Sequence, residues 1–334
     1  MTDFSPKNAP ADTALEEVRC DLCSSADTVL VYTIPDLIYS MPGGREFRVV
    51  RCANCGLGFV NPRPAYDSMK HFYPASFYEY FDTEHAYHER RYLIEAEIVE
   101  QALGRKGRLL DVGCANGDFP RFMLARGWDV EGVEVAESSK GISDFKVWRQ
   151  EFDRLEIPDE SYDAVTAWAV LEHVHRPIRY FQKASRVLRP GGVFVFLVTN
   201  FRSLSSWALF REDVPRHLYF FTEDTVRRYL KSVGLELVSA DYSDKIYAMR
   251  PFNWLRFWVE GRLRGRAFTW QDAAFSRTKF LERKRWPMTL WTSVAFVLTH
   301  PHFIFDRALL RVYELVQMRR RTYGIATYVA RKPA

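Results

Sequence analysis

The residues best suited to chemistry lie in one short segment, 111–118, which reads Asp-Val-Gly-Cys-Ala-Asn-Gly-Asp. An apolar run that predicts a buried strand precedes it, and a helical pattern follows over residues 119–127. Gly113, Ala115 and Gly117 carry little or no side chain, so that the backbone of this turn can approach a ligand closely. Small residues at every second position therefore predict a cradle for a nucleotide-like ligand.

Two acids frame this cradle. Asp111 opens the turn, and Glu134 ends the next predicted strand, residues 129–134. A carboxylate at the opening of the turn repels a phosphate but suits an ammonium group, whereas the second acid can accept hydrogen bonds from ribose hydroxyls. A dinucleotide site instead has the pattern G-x-G-x-x-G, which places a helix N-terminus against a pyrophosphate. Taken alone, the turn is also compatible with a glycine-rich link that holds no ligand.

Segments later in the chain favour a ligand-binding turn over a simple link. Together with that turn they resemble a known family. The D-x-G-x-A-x-G turn resembles motif I of the class I S-adenosylmethionine-dependent methyltransferases. Residues 171–174 (Leu-Glu-His-Val), 188–192 (Leu-Arg-Pro-Gly-Gly) and 217–222 (His-Leu-Tyr-Phe-Phe-Thr) resemble later motifs of the same family. The resemblance covers about residues 92–242 and the last strand. It implies an α/β fold with a seven-stranded Rossmann-like core. To this core the chain adds an N-terminal zinc ribbon and, where relatives have only a short hairpin, a helical insertion before the last strand.

The resemblance also implies roles for individual residues. Asp111 would lie near the methionine end of the cofactor, Glu134 would bind its ribose, and Glu151 and Phe152 would lie against the adenine. Ala169 departs from the pattern, since many relatives carry an acid there. The full set of residues implied to hold S-adenosyl-L-methionine is Asp111, Gly113, Ala115, Gly117, Glu134, Glu151, Phe152 and Trp168.

His217 is the candidate catalytic residue. In the family, the segment that it begins borders the substrate side of the cofactor. A histidine has a pKa near neutrality and could take a proton from a substrate hydroxyl while the methyl group transfers. The alternative is a histidine that only hydrogen-bonds a loop carbonyl.

The cysteines predict a metal site. Two C-x-x-C pairs, each able to supply two thiolates from one tight turn, can close a tetrahedral Zn²⁺ site that has no open position and is therefore structural. A redox motif would need only one pair, and disulfides are disfavoured because the N-terminus shows no apolar secretion signal. Bacterial methyltransferases of natural-product and surface-glycan pathways carry a similar ribbon. The predicted ligands are Cys20, Cys23, Cys52 and Cys55, which leaves Cys114 inside the cofactor turn.

A chain of 334 residues exceeds one ordinary domain, so additions to a core are expected. The aromatic-rich stretch that begins the core region is either a lid over the cofactor or a packing layer. The predicted organisation is a disordered tail (1–17), a zinc ribbon (18–64), a lid and methyltransferase core (65–242), an insertion (243–323) and a closing core strand (324–334).

The insertion is basic and rich in tryptophan. Residues 250–321 contain 15 Lys and Arg against five Asp and Glu, a local charge of +10 in a chain of net charge +5. Cations with indoles suit the surface of an anionic membrane or a lipid-linked acceptor, and the apolar run broken by Pro301 is too short to span a bilayer. A homodimer interface and, less favoured, a nucleic-acid arm remain open alternatives.

The sequence as a whole predicts an enzyme that transfers a methyl group from S-adenosylmethionine to a small-molecule, glycan or lipid-linked acceptor, with a hydroxyl favoured. We expect a cytoplasmic protein that can lie peripherally on the inner face of the membrane. The alternatives are an RNA methyltransferase and a non-catalytic binding module with the cofactor fold.

Overall fold

The computed structural model of the chain describes residues 13–36, 45–73, 85–136, 141–203, 213–243, 246, 291, 294, 298 and 301–334. The strands are β1 (Leu15–Glu16), β2 (Thr28–Pro35), β3 (Glu46–Cys52), β4 (Gly58–Val60), β5 (Arg63–Pro64), β6 (Arg108–Val112), β7 (Asp129–Val133), β8 (Lys146–Trp148), β9 (Tyr162–Trp168), β10 (Leu188–Thr199), β11 (Tyr219–Phe220), β12 (Glu236–Asp241) and β13 (Ile325–Arg331). The α-helices are α1 (His85–Leu103), α2 (Asp118–Ala125), α3 (Pro177–Val187), α4 (Glu223–Ser232) and α5 (Pro301–Arg320). Two 3₁₀ segments cover Tyr66–Phe72 and Phe152–Arg154.

A seven-stranded sheet forms the centre of the molecule, in the order β12-β13-β10-β9-β6-β7-β8. The neighbouring strands from β10 to β8 are parallel, whereas β13 is antiparallel to both β10 and β12. The strand order reverses between β6 and β9, and ligands of such open sheets bind at that switch point, beyond the carboxyl ends of the strands. The predicted Rossmann-like α/β core is therefore confirmed.

Helices cover both faces of this sheet. On one face α1 and α2 contribute Ala96, Val99 and Met123 to a buried apolar layer. On the other face Phe181 of α3 stacks on Tyr229 of α4, with ring centroids 4.8 Å apart. Because both faces are covered, central strands can be apolar at almost every position, and all seven residues of β9 are buried.

Asp163 is the charged exception within β9. Its carboxylate accepts hydrogen bonds from the Arg108 backbone N–H at 2.8 Å, from Arg105 at 2.5 Å and from Arg189 at 2.7 Å. Burial on its own would raise the pKa of Asp163, but these donors outweigh it and the pKa lies below its usual value of 3.8. The buried carboxylate is thus fully paired and ties β9 to β6.

A second, four-stranded antiparallel sheet has the order β11-β4-β3-β2. Three of its strands come from the cysteine-bearing region, but the fourth, β11, comes from the core, where Tyr219 faces Phe59 and Phe220 faces Gly58. The ribbon and the core therefore share one sheet.

The last part of the N-terminal tail differs from its prediction. Residues 1–17 were expected to be disordered. Residues 1–12 lie outside the described residues, but Leu15 and Glu16 form strand β1 and pair with Pro64 and Arg63. Glu16 also accepts a hydrogen bond from Arg63 at 2.8 Å. This pairing partner lies 47 residues away in the sequence, so local composition gave no indication of it.

The insertion lies between β12 and β13. Helix α5 falls in it and confirms a helical element before the last strand. Most of the segment lies outside the described residues, including Trp254, Trp258, Trp270 and Trp286. Among the residues that are described, no helix is both long enough and apolar enough to cross a membrane.

Replacing Asp163 by asparagine should lower the free energy of unfolding by about 1.5–3 kcal/mol, the usual range for hydrogen bonds to a charged group. Asp159 is the matched control, because it also pairs with an arginine (Arg186) but its side chain is 57% exposed against 3% for Asp163. Asp159→Asn should cost less than about 1 kcal/mol. Urea unfolding measures both changes.

The pH dependence gives a second readout of the same variant. A carboxylate with a lowered pKa stabilises the fold above its unfolded-state pKa, and this contribution is lost as the pH falls through the folded-state value. The difference in the free energy of unfolding between the native protein and Asp163→Asn should therefore become smaller in acid. An equal decrease of that free energy in Asp163→Asn and Asp159→Asn at neutral pH would contradict the role given to Asp163.

Candidate active site at the carboxyl edge of the sheet

The cradle predicted from the sequence forms the turn between β6 and α2. Gly113, Ala115 and Gly117 all adopt left-handed backbone conformations, with φ of 76°, 48° and 87°. The Gly113 and Cys114 N–H groups donate to the Val133 carbonyl, which holds the turn against the end of β7. The turn is thus a rigid loop at the carboxyl end of two neighbouring strands.

The physical reason for the two glycines differs from the predicted one. A Cβ on Gly113 would lie 2.5 Å from the Val170 side chain, and one on Gly117 would lie 2.8 Å from Ile142. The sequence argument reserved this space for a ligand, but the protein's own side chains fill it. Positive φ and internal packing both require glycine here.

Glu134 lies at the rim of the cradle. One of its carboxylate oxygens accepts a hydrogen bond from the Ala115 N–H and the other from the Ala136 N–H, both at 2.9 Å. The side chain is half-buried, and Ala115 is exposed. The structure therefore brings the predicted ribose-binding acid together with the predicted turn.

Asp111 lies beneath the turn, within β6 rather than in the loop. It is 2% exposed and accepts a hydrogen bond from the Thr166 hydroxyl at 2.6 Å. Burial raises the pKa of Asp111 to about 8, with a further contribution from Glu95. A cation placed beside it would lower that pKa, since an opposite charge favours the ionised form.

Of the other predicted cofactor residues, Glu151 is half-buried, whereas Phe152 and Trp168 are buried. Glu151 accepts hydrogen bonds from the hydroxyls of Tyr66 and Tyr180. Phe152 is 1% exposed and packs edge-on against Tyr180. Trp168, at the carboxyl end of β9, is also buried, and its indole N–H has no hydrogen-bond partner among the described residues.

A cluster of polar side chains forms where the loop after β9 meets the loop before β11. We call Glu172, His173 and His217 the acceptor cluster. One ligand-type atom from each lies within 4.8 Å of the others, and the two imidazole rings are 4.5 Å apart between centroids. The Leu218 and Tyr219 N–H groups donate to the Glu172 carbonyl at 2.7 and 3.2 Å, so backbone hydrogen bonds fix this meeting point.

Burial controls the electrostatics of the cluster. Glu172 is fully buried, and neither of its carboxylate oxygens has a hydrogen-bond partner among the described residues. Burial raises its pKa to about 8 and lowers the pKa of His173 and of His217 to about 3. Both imidazoles are uncharged near neutral pH. The pKa of His217 lies well below the near-neutral value on which the sequence argument for a catalytic base relied, so His217 needs a neighbouring negative charge to stabilise its protonated form.

Further polar groups surround the cluster. The Tyr73 hydroxyl and the Arg216 carbonyl lie 2.9 and 3.1 Å from His173 Nδ1, and an Asp213 oxygen lies 3.8 Å from His217 Nε2. Burial raises the pKa of Asp213 to about 6. Four residues in and around the cluster were not among the predicted site residues: Glu172, His173, Tyr73 and Asp213. Only the Leu-Glu-His-Val motif, which holds Glu172 and His173, could have indicated any of them.

Arg216 anchors the loop that carries His217. Its guanidinium donates to both oxygens of Asp36 at 3.1–3.3 Å, and both side chains are almost completely buried. Asp36 lies directly after β2, so this ion pair joins the ribbon sheet to the acceptor cluster.

The four predicted cysteine ligands converge at the end of the ribbon. All four Sγ atoms lie within 4.8 Å of one another, with Cys20 3.4 Å from Cys55 and Cys23 3.5 Å from Cys52. All four are free thiols, not disulfides. Zn–S bonds of about 2.3 Å in a tetrahedron imply sulfur separations of about 3.8 Å, so this quartet is compatible with a zinc ion. Gly56, with φ of 82°, makes a left-handed turn directly after Cys55.

Comparison with known proteins places the core in a family. Residues 86–240 match a family model described as a methyltransferase domain. Ubiquinone biosynthesis O-methyltransferase of Azoarcus sp. (strain BH72) is 28% identical over 184 residues, which are 47% of this chain and 78% of that protein. The enzyme of the same name from Dechloromonas aromatica (strain RCB) is 33% identical over 125 residues, 34% of this chain and 53% of the relative.

Two solved structures are also similar. An S-adenosylmethionine-dependent methyltransferase from Mesorhizobium loti is 16% identical with a TM-score of 0.42, over 71% of this chain and 97% of that chain. A putative sarcosine dimethylglycine methyltransferase from Galdieria sulphuraria is 16% identical with a TM-score of 0.43, over 74% and 86% of the two chains.

The family match covers the parallel strands β6 to β10 of the central sheet and agrees with the motifs of the sequence. Residues 86–240 are therefore an S-adenosylmethionine-dependent methyltransferase domain of class I.

Proposed function

We propose that this protein methylates a hydroxyl group of a small molecule, a glycan or a lipid-linked acceptor. The observation that carries the proposal is that the cradle with Glu134 and the acceptor cluster lie at one edge of the sheet. The cradle follows β6, and the cluster follows its neighbour β9. The relatives named as O-methyltransferases support a hydroxyl as the acceptor group.

The cradle fits S-adenosylmethionine on its own chemistry. Glu134 offers carboxylate oxygens at the rim, where ribose hydroxyls would need acceptors, and the buried Asp111 carboxyl lies below, where a positive charge would be stabilised. Gly113, Ala115 and Gly117 would supply the close backbone. When bound, the cofactor supplies a methyl group on a positively charged sulfur, which leaves as a neutral thioether once an acceptor oxygen takes the methyl.

The proposal gives an indirect role to Glu151, Phe152 and Trp168. The hydrogen bonds that Glu151 accepts from Tyr66 and Tyr180 would hold the adenine side of the site in place. Phe152 and Trp168 would form its buried apolar wall.

On the acceptor side, we infer that His217 accepts the hydroxyl proton. Its ring lies 4.5 Å from that of His173, and the Asp213 carboxylate 3.8 Å from Nε2 would stabilise the imidazolium that forms. The Arg216–Asp36 pair and the backbone hydrogen bonds to Glu172 hold this loop, so the protein aligns acceptor and methyl group before reaction. Such alignment can lower a barrier by several kcal/mol, up to about 10 kcal/mol.

One prediction tests the cofactor site. Glu134→Gln should weaken the binding of S-adenosylhomocysteine by about 1–3 kcal/mol, because hydrogen bonds to a charged acceptor are lost. Asp144→Asn is the matched control, since that acid is exposed and pairs with Arg121 instead. Isothermal calorimetry measures both affinities. Unchanged affinity in Glu134→Gln, or tighter binding of NAD, would contradict the assignment.

Another prediction tests the reaction. Labelled S-adenosylmethionine should transfer its methyl group to hydroxyls in a panel of phenols, nucleotide sugars and membrane extract. His217→Ala should lower kcat about 100-fold or more with unchanged S-adenosylhomocysteine affinity. His71→Ala, a histidine in the first 3₁₀ segment, is the control and should keep full activity. Cofactor binding without transfer to any member of the panel would favour a binding module, and methylated RNA would favour the nucleic-acid alternative.

We further propose that the cysteine quartet holds a structural zinc ion. The prediction is one zinc per chain by elemental analysis, lost in Cys52→Ser and kept in Cys114→Ser, where the fifth cysteine is changed. Because metal binding supplies local folding free energy and β11 pairs with ribbon strand β4, Cys52→Ser should also reduce methyl transfer. Binding of S-adenosylhomocysteine in the cradle should persist. Full zinc content in Cys52→Ser would refute the proposed ligand.

A further inference from the structure

The insertion leaves and re-enters the sheet at the edge that carries the active site. At the start of β13, Ile325 faces Thr199, the last residue of β10, and Thr327 faces Asp241, the last residue of β12. The Asn200 side-chain amide donates to the carbonyls of Arg321 and Tyr323, both at 2.9 Å. The C-terminal end of α5 is therefore fixed beside the carboxyl end of β10.

A stripe of exposed apolar side chains runs along this helical segment. Its members are separated by three or four residues, and between 41% and 59% of each is exposed. At 100° per residue, these positions fall within an arc of about 60° on one face of α5. The α5 stripe consists of Phe305, Leu309, Val312 and Val316, while Leu315 and Met318 are exposed outside this arc.

The charge of the segment indicates what covers the stripe. Residues 250–321 carry a net charge of +10, and Arg319 and Arg320 are exposed at the end of α5. A second copy of the chain would bring an equally basic segment to such a contact, and the two segments would repel each other. An anionic lipid surface complements it, because basic residues meet the headgroups while apolar and indole side chains enter the boundary below them.

We propose that the α5 stripe docks on an anionic membrane surface, with the helix lying in the plane of the headgroups. Docking involves no catalytic step, and the docking proposal does not depend on the proposed function. One consequence does rest on that function: the insertion is attached at the active-site edge, so a lipid-linked acceptor could present its hydroxyl there without leaving the bilayer.

The experiment is flotation of the full-length protein with vesicles of phosphatidylcholine alone or mixed equally with phosphatidylglycerol. The protein should float with the mixed vesicles and remain behind with the neutral ones, and raising the salt should weaken binding. The stripe variant Phe305→Gln/Val312→Gln and the charge variant Arg319→Gln/Arg320→Gln should each reduce partitioning at least tenfold. Val29→Gln/Leu30→Gln changes two equally exposed apolar residues of β2 and should bind as the native protein does.

The same samples separate the two proposals. Native protein that binds S-adenosylhomocysteine but stays unbound beside anionic vesicles at low salt overturns the docking and leaves the proposed function intact. Native protein that floats but shows no methyl transfer overturns the function alone. A dimer that the stripe variant converts to a monomer, or a stripe variant that floats like the native protein, also overturns the docking.

Discussion

The buried ion pair between Arg216 and Asp36 determines how the ribbon sheet and the methyltransferase core meet. Removing one partner of such a pair typically costs about 3–5 kcal/mol, because the other charge is left buried without compensation. Both side chains are excluded from water, so the loop before β11 has little freedom relative to the end of β2. His217 follows Arg216 directly, and the Arg216 carbonyl lies 3.1 Å from His173 Nδ1. One charge pair thus positions both histidines.

The Glu172 carbonyl supports the same arrangement from the core side. It accepts hydrogen bonds from Leu218 and Tyr219, the residues that lead from His217 into β11. Arg63, from the ribbon, donates to the Tyr219 hydroxyl at 2.8 Å and to the His175 carbonyl at 2.8 Å. The acceptor side of the active site is therefore built from three chain segments that lie far apart in the sequence.

Locally encoded features could be predicted from the sequence. The succession of strand, turn and helix around residues 111–118 and the tight turn at Gly113 and Gly117 each depend on neighbouring residues. The two C-x-x-C pairs likewise predicted the cysteine quartet, because each pair forms its own turn and only the meeting of the pairs is long-range.

Features that depend on a distant partner could not be predicted. Three features each require a segment whose position is set only by the fold: strand β1, the pairing of β11 with the ribbon sheet, and the burial of Glu172. The glycines illustrate the limit more finely. Their positions were predicted, but the side chains that exclude a Cβ, Val170 and Ile142, follow from tertiary packing. From the sequence alone, a glycine required by an apolar neighbour cannot be distinguished from a glycine required by a bound ligand.

The sharing of β11 bears on how the two parts can be recombined. The ribbon sheet ends with a strand from the core, and Arg216, just before that strand, pairs with Asp36 of the ribbon. A segment taken from another enzyme in place of either part would have to supply both the strand pairing and the partner charge. We therefore expect that ribbon and acceptor loop can be exchanged only together, and that chimaeras that separate them fold poorly.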